Sequence, residues 1–252
     1  MEASLDFGGR VVLVTGGTKG IGRSIAERFD DAGASVVVCG RNEPSTETYG
    51  RFVACDVRDP DQVAAMIDDI TGTERRLDVV INNAGGSPVA DTATASPRFT
   101  EAIIRLNLLA PLHVAQAANR VLQQQNDGGS IINISSVSGV RATPNAAAYG
   151  AAKAGLLNLT QTLAVEWAPK VRVNAITVGL VRTEQANLHY GDEAAIAAVG
   201  ATVPIGRMAE PVDVANACLL LASPLAAYIS GANLLVHGGG ELPAYLDAAE
   251  PS

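Results

Sequence analysis

An alternation constrains this chain more than any other feature. Short β-branched runs at residues 10–14 (RVVLV), 35–39 (SVVVC), 77–81 (LDVVI) and 130–134 (SIINI) read as buried parallel strands. Stretches 21–32, 61–70 and 99–125 place apolar residues three and four apart, as helices covering a sheet must. Residues 51–54, 171–176 and 233–236 supply further strands. Repeated strand, helix, strand order predicts right-handed crossovers and an α/β fold: a single-domain, Rossmann-like, doubly wound parallel sheet of about seven strands with helices on both faces. In such sheets ligands sit beyond the carboxyl ends of the strands, so chemistry is to be sought just after each strand. No linker or repeat divides the 252 residues, and residues 1–252 are expected to form one domain.

The first strand runs directly into Thr15-Gly16-Gly17-Thr18-Lys19-Gly20-Ile21-Gly22 and then into helix. A glycine turn opening a helix cradles a pyrophosphate, because its backbone approaches closely and the helix N-terminus carries free N–H groups. The spacing is G-x-x-x-G-x-G and departs from the general dinucleotide fingerprint. About twenty residues on, an acid would bind the ribose 2′-hydroxyl of NAD, whereas an arginine suits the 2′-phosphate of NADP. Here the second strand ends in Cys39-Gly40-Arg41-Asn42, and the nearest acid is Glu43. With Lys19 offering a second cation, NADP(H) is the expected cofactor, with NAD(H) possible.

Tyr149 and Lys153 stand four apart in Tyr149-Gly-Ala-Ala-Lys153 and share one helix face. A neighbouring ammonium favours the phenolate, bringing Tyr149 toward a useful acid/base range. Ser135 and Ser136 both follow the 130–134 strand at its ligand end, and either could join this pair.

Together these motifs resemble the short-chain dehydrogenase/reductase family, from about Asp6 to about Gly240. Thr15 to Gly22 is similar to its T-G-x-x-x-G-I-G, and Asn82-Asn83-Ala84-Gly85 to its N-N-A-G. Asp56-Val57 resembles the family's adenine-contacting pair. The resemblance implies Ser136, thirteen residues before Tyr149, as the catalytic serine, and Asn107 as the fourth catalytic residue. It further implies hydride transfer between nicotinamide and a carbonyl carbon. Tyr149 would carry the proton, Ser136 polarise the carbonyl, Lys153 hold the nicotinamide ribose and Asn107 keep a water in a proton relay. Cofactor contacts are expected from Gly16, Thr18, Lys19, Gly20, Ile21, Gly22, Arg41, Asp56, Val57, Asn83, Ala84, Gly85, Tyr149, Lys153, Val181 and Thr183. Two positions depart from the pattern. Val178 replaces the usual proline before Gly179, which leaves that backbone freer, and Ala152 replaces a serine common before the lysine.

Residues 184–204 are expected to form a substrate lid that contains Leu188, His189, Tyr190 and Ile196 but no Lys or Arg, suiting an uncharged, partly apolar substrate. Residues 121–140 also lack a cation, which argues against docking of an acidic acyl carrier protein. A small or lipophilic ketone or secondary alcohol is therefore favoured; a 3-oxoacyl-(carrier protein or CoA) reductase and a catalytically silent NADP(H) sensor are the alternatives.

A net charge of −8, from 18 Lys and Arg against 26 Asp and Glu, argues against a nucleic-acid partner. The uncharged stretch 217–236 has the length of a membrane span, but Ser223-Pro224 and Ser230-Gly231 break it into loops. Three scattered cysteines show neither a disulfide framework nor a metal knuckle, and the first residues lack a secretory pattern, so a cytoplasmic enzyme needing no metal is expected. A homo-oligomer, tetramer rather than dimer, is expected through the helices at 99–125 and 146–167. Apolar residues in the tail 241–252 predict that it packs on the body or on a neighbouring subunit.

Overall fold

The computed structural model describes residues 5–245. Seven parallel strands form one sheet: β1 (Val11–Thr15), β2 (Ser35–Gly40), β3 (Arg51–Ala54), β4 (Val79–Asn82), β5 (Gly129–Ser136), β6 (Val171–Val178) and β7 (Asn233–Val236). Their order, β3-β2-β1-β4-β5-β6-β7, reverses direction between β1 and β4, so the crevice expected at a switch point opens there. The doubly wound α/β expectation holds.

Alternation along the strands sends consecutive side chains to opposite faces, and both faces are buried. On one face Leu13, Val37, Val80 and Ile131 pack beneath α2 (Pro60–Glu74), α4 (Ala110–Leu122) and α5 (Ala147–Glu166). On the other, Val12, Val14, Ile81, Ile132 and Ile176 pack beneath α1 (Gly20–Asp31) and α8 (Pro211–Ala222). The strands accordingly read as near-continuous Val and Ile runs.

Local signals start several helices. Asp59 accepts from the backbone N–H groups of Asp61 and Gln62 at the head of α2, and Ser96 accepts from Phe99 N at the head of α3 (Pro97–Ile104). Each is followed by proline at the first helical position, where its missing N–H costs nothing. The α1 helix lacks this provision: Lys19, its N-cap, makes no side-chain cap bond, and no acid lies in its first turn.

The 99–125 stretch, expected as one helix, is helical without a break as far as Leu122, but its regular winding is interrupted once. Between α3 and α4 a single π-helical turn spans Arg105–Leu109, and α4 ends at Leu122. The 217–236 stretch is divided among α8, a 3₁₀ turn at Pro224–Ala226 and β7. No helix among the described residues is long and apolar enough to cross a membrane. The 184–204 stretch, expected as a lid, carries α6 (Ala186–Tyr190) and α7 (Glu193–Ala201), whose Ile196 is buried with Ala186 and Met208 in a small core of their own. Leu242 N donates to Thr202 O at 2.8 Å, so the tail lies against the end of α7 as far as this residue. The expected tail beyond 245 and the side chains of Leu188 and His189 lie outside the described parts.

Candidate active site

Beyond the carboxyl ends of β1, β4, β5 and β6 lies a cleft of about 710 Å³. The glycine turn lines one side. Gly16 and Gly20 have φ of +66° and +55°, conformations that disfavour a side chain. A Cβ on Gly22 would stand 2.2 Å from Gly16 O and 2.4 Å from Asn83 Nδ2, so only glycine lets α1 come this close to the turn. Thr15 ties the turn to the neighbouring loop: its Oγ1 donates to Ile81 O at 3.2 Å and accepts from Asn83 N and Ala84 N, both at 3.0 Å. Asn83 Nδ2 answers by donating to Thr15 O at 3.0 Å. A cradle that a Cβ would fill, open to a cleft of this size, fits a dinucleotide pyrophosphate.

Lys19, in the glycine turn at the head of α1, and Arg41, just after β2, are exposed and line the cleft, whereas Glu43 is not part of it. Asp56 also lines the cleft, but its two carboxylate oxygens take the Arg58 guanidinium at 2.8 and 2.6 Å. That pairing holds the Asp56 carboxyl down to about 2. The Arg58 guanidinium is a third cation at this end that sequence reasoning missed. Cys39 and Cys55 meet below it, and the hydrogen bond between the thiols raises Cys39 and lowers Cys55 from the ordinary thiol range.

The other end of the cleft gathers the polar residues expected to do chemistry. Ser136 closes β5, and a 3₁₀ turn at Val137–Gly139 then carries the chain against α5. Their approach depends on Gly139, whose Cβ would lie 2.8 Å from Lys153 C. Strand alternation resolves the two serines. Both line the cleft, but Ser135 is buried and donates to Lys153 O at 3.2 Å, whereas Ser136 is the more exposed and is the one that acts on the Tyr149 phenol. Lys153, only 4% exposed, donates from Nζ to Ile134 O at 2.8 Å and lies 5.6 Å from the centre of the Tyr149 ring.

Electrostatics here differ from expectation. Burial raises the Tyr149 phenol above its ordinary value, opposed by the smaller effect of the Ser136 hydrogen bond. Burial also brings Lys153 down to about 8. Lys153 Nζ stands over the Tyr149 ring, and desolvation is the largest influence on the phenol.

Asn107 is placed differently. It is fully buried in the π turn and does not line the cleft. Its Oδ1 accepts from Gly86 N at 2.9 Å, and its Nδ2 donates to Gly86 O and Ile103 O, each at 2.9 Å. The side chain therefore ties the loop after β4 to the widened helix. Gly85, Val57, Thr18, Ile21, Val181 and Thr183 all line the cleft as expected. Val178 lies opposite Ser136 and Val236 in the sheet, so the ladder fixes the backbone that a proline ring would otherwise restrain. Ala152 is fully buried. Two wall residues, Glu184 and Tyr190, had no signal beyond their place in the lid stretch.

Fold and site together define a dinucleotide-binding oxidoreductase. A family model described as Enoyl-(Acyl carrier protein) reductase matches residues 16–241. The 3alpha-hydroxysteroid dehydrogenase of Mediterraneibacter gnavus is 34% identical over 244 residues, covering 91% of this chain and 96% of its own. The 3-oxoacyl-[acyl-carrier-protein] reductase of Vibrio cholerae is 33% identical over 243 residues, covering 93% and 98%. The ligand-free aldohexose dehydrogenase of Thermoplasma acidophilum superposes with a TM-score of 0.88 at 35% identity, covering 98% and 97%. The chain belongs to the short-chain dehydrogenase/reductase family, and it is an enzyme that acts on CH–OH and C=O groups.

Proposed function

We propose that this enzyme interconverts a ketone and a secondary alcohol on a small or lipophilic substrate, using NADP(H). The observation that carries the reading is the convergence of Ser136, Tyr149 and Lys153 in the cleft that the glycine turn opens. The turn residues and the N-terminus of α1 would hold the pyrophosphate, with Asp56 and Val57 at the adenine end. Val181, Thr183 and Lys153 would hold the nicotinamide end. When bound, the nicotinamide supplies or accepts the hydride. Tyr149 gives a proton to the substrate oxygen in reduction and takes it back in oxidation. The Ser136 hydroxyl donates to the same oxygen, orienting it and polarising the carbonyl. Lys153, charged below about pH 8, keeps a positive charge beneath the phenol.

NADP(H) is favoured because Lys19 and Arg41 line the cleft and Glu43, the acid nearest the end of β2, does not. An uncharged substrate is favoured because no Lys or Arg lies in 184–204, and Arg141 is already paired with Glu241. Relatives named for hydroxysteroids and for aldohexoses are consistent with such a ketone or alcohol. The family description and the V. cholerae relative support a 3-oxoacyl thioester as the second reading. We further propose a cytoplasmic homo-oligomer, tetramer before dimer, because Val165 on α5 and Leu109 in the π turn expose apolar surface on the expected helices.

Parallel fluorescence titrations with NADPH and NADH test the cofactor, and a carbonyl panel containing ring ketones, sugars and 3-oxoacyl thioesters tests the substrate. NADPH should bind more tightly, and Tyr149→Phe should abolish turnover while leaving that binding intact. Near-wild-type turnover by Tyr149→Phe would remove the phenol from the mechanism.

A further inference from the structure

The N-terminus of α1 is capped from an unexpected direction. Glu184, 164 residues away, accepts from Gly20 N through Oε1 at 2.8 Å. The helix itself supplies no acid and no side-chain cap there, so this carboxylate answers an otherwise bare set of N–H groups. Those same groups are the ones a pyrophosphate needs. Glu184 lines the cofactor cleft and also a second groove on its other side, walled by Arg23 and Arg182 together with Glu27, Glu193 and Glu210. The chain around it is the start of the lid: Thr183 Oγ1 accepts from Gln185 N at 3.3 Å, and α6 begins at Ala186.

We propose that Glu184 occupies the phosphate-binding end of α1 in the free enzyme, so that dinucleotide and carboxylate compete for it and cofactor binding releases the first residues of the lid. Two anions cannot share one helix N-terminus without repulsion, and the Glu184 side chain is exposed, so solvent can receive it when it is displaced. Glu184 is thus a determinant of cofactor affinity that acts by competition. The inference rests on the dinucleotide reading of the cleft.

Titration of the whole enzyme with NADPH tests it, comparing wild type with Glu184→Gln and Glu184→Ala. Both variants should bind NADPH about two- to fivefold more tightly, the scale of a charge at a helix terminus, and the gap should narrow as salt rises. Their melting temperatures without cofactor should fall, and the rise on adding NADPH should exceed that of wild type. A contact that merely supports the lid would lower the melting temperature and leave NADPH affinity unchanged, which overturns the proposal. Weaker binding by both variants overturns it too, since Glu184 would then help to hold the cofactor. If wild type and both variants bind neither NADPH nor NADH, the dinucleotide reading falls and the competition falls with it; binding that is equal in all three defeats the competition alone.

Discussion

Replacing Asn107 by alanine separates two accounts of this residue. If its side chain served only to keep a water in a proton relay, Asn107→Ala would lower turnover and leave the fold untouched. The structure gives it another task. Three hydrogen bonds of 2.9 Å join it to Gly86 N, Gly86 O and Ile103 O, and the residue is fully buried. Alanine removes all three. Each such bond contributes about 0.5–1.5 kcal/mol net, and a buried donor left unmatched at Gly86 costs about 1–3 kcal/mol. Allowing for partial relaxation, the variant should lose about 2–5 kcal/mol, a large share of the roughly 5–15 kcal/mol typical of a folded domain. Urea unfolding followed by the fluorescence of Trp167, the chain's single tryptophan, measures this directly. NADPH affinity should weaken as well. Asn107 Oδ1 and Lys153 Nζ lie 2.8 and 3.3 Å from the point where a Gly85 Cβ would stand, so loosening this loop disturbs the cleft wall beside the lysine. A loss below about 1 kcal/mol with impaired turnover would refute the anchoring argument and restore the relay, because even one orphaned buried donor should cost more.

Three other outcomes follow from the site. In the reductive direction kcat/KM should fall as pH rises through about 8, where Lys153 loses its proton, and Lys153→Arg should move that basic limb upward if the variant retains activity. The sign for stability is opposite: between about 8 and the ordinary 10.5 the unfolded chain binds the extra proton, so this group adds stability as pH rises across that window. Cys55, lowered by its bond with Cys39, should alkylate ahead of Cys218, which burial pushes up, and NADPH should slow the reaction because both members of the pair line the cleft; equal rates with and without NADPH, read by mass spectrometry, would place the thiols away from the cofactor. Arg41→Asp should weaken NADPH binding and strengthen NADH binding, and an unchanged ratio of dissociation constants would show that Arg41 does not read the 2′-phosphate.

The sheet was legible because a parallel strand buried on both faces must be apolar throughout, and Val11–Thr15 or Ser35–Gly40 has few other ways to read. The glycine turn was legible for a similar reason: close backbone approach admits one residue type. What stayed hidden depends on partners distant in the chain. Nothing in 99–125 announces a π turn, since its stabilising contact is with Gly86, 21 positions before Asn107. Ser135 and Ser136 are chemically alike, and only the strand's alternation sends one to the Lys153 carbonyl and the other to Tyr149. The Glu184 contact spans most of the chain. The direction of the Tyr149 shift turned on the desolvation of its phenol, which no spacing encodes.

That direction bears on which way the chemistry runs. With Tyr149 raised and Lys153 brought down only to about 8, the free site at neutral pH holds a protonated phenol beside a largely protonated lysine amine. Such a phenol is ready to donate, which is what carbonyl reduction requires of it. Alcohol oxidation requires the phenolate first, and in this buried pocket its formation must be assisted by positive charge. Lys153 lies over the ring and is itself disfavoured by burial. The positive ring of an oxidised nicotinamide, bound as proposed, would add to that charge, so the ionisation of Tyr149 should follow the oxidation state of the dinucleotide and come more easily with the oxidised form. A titration of the Tyr149 phenol by ultraviolet difference spectroscopy, wild type against Tyr149→Phe, should therefore show it ionising at lower pH with NADP⁺ than with NADPH. Identical titrations with the two forms would mean that the phenol does not sense the nicotinamide, and the shared proton and hydride site would have to lie elsewhere in the cleft.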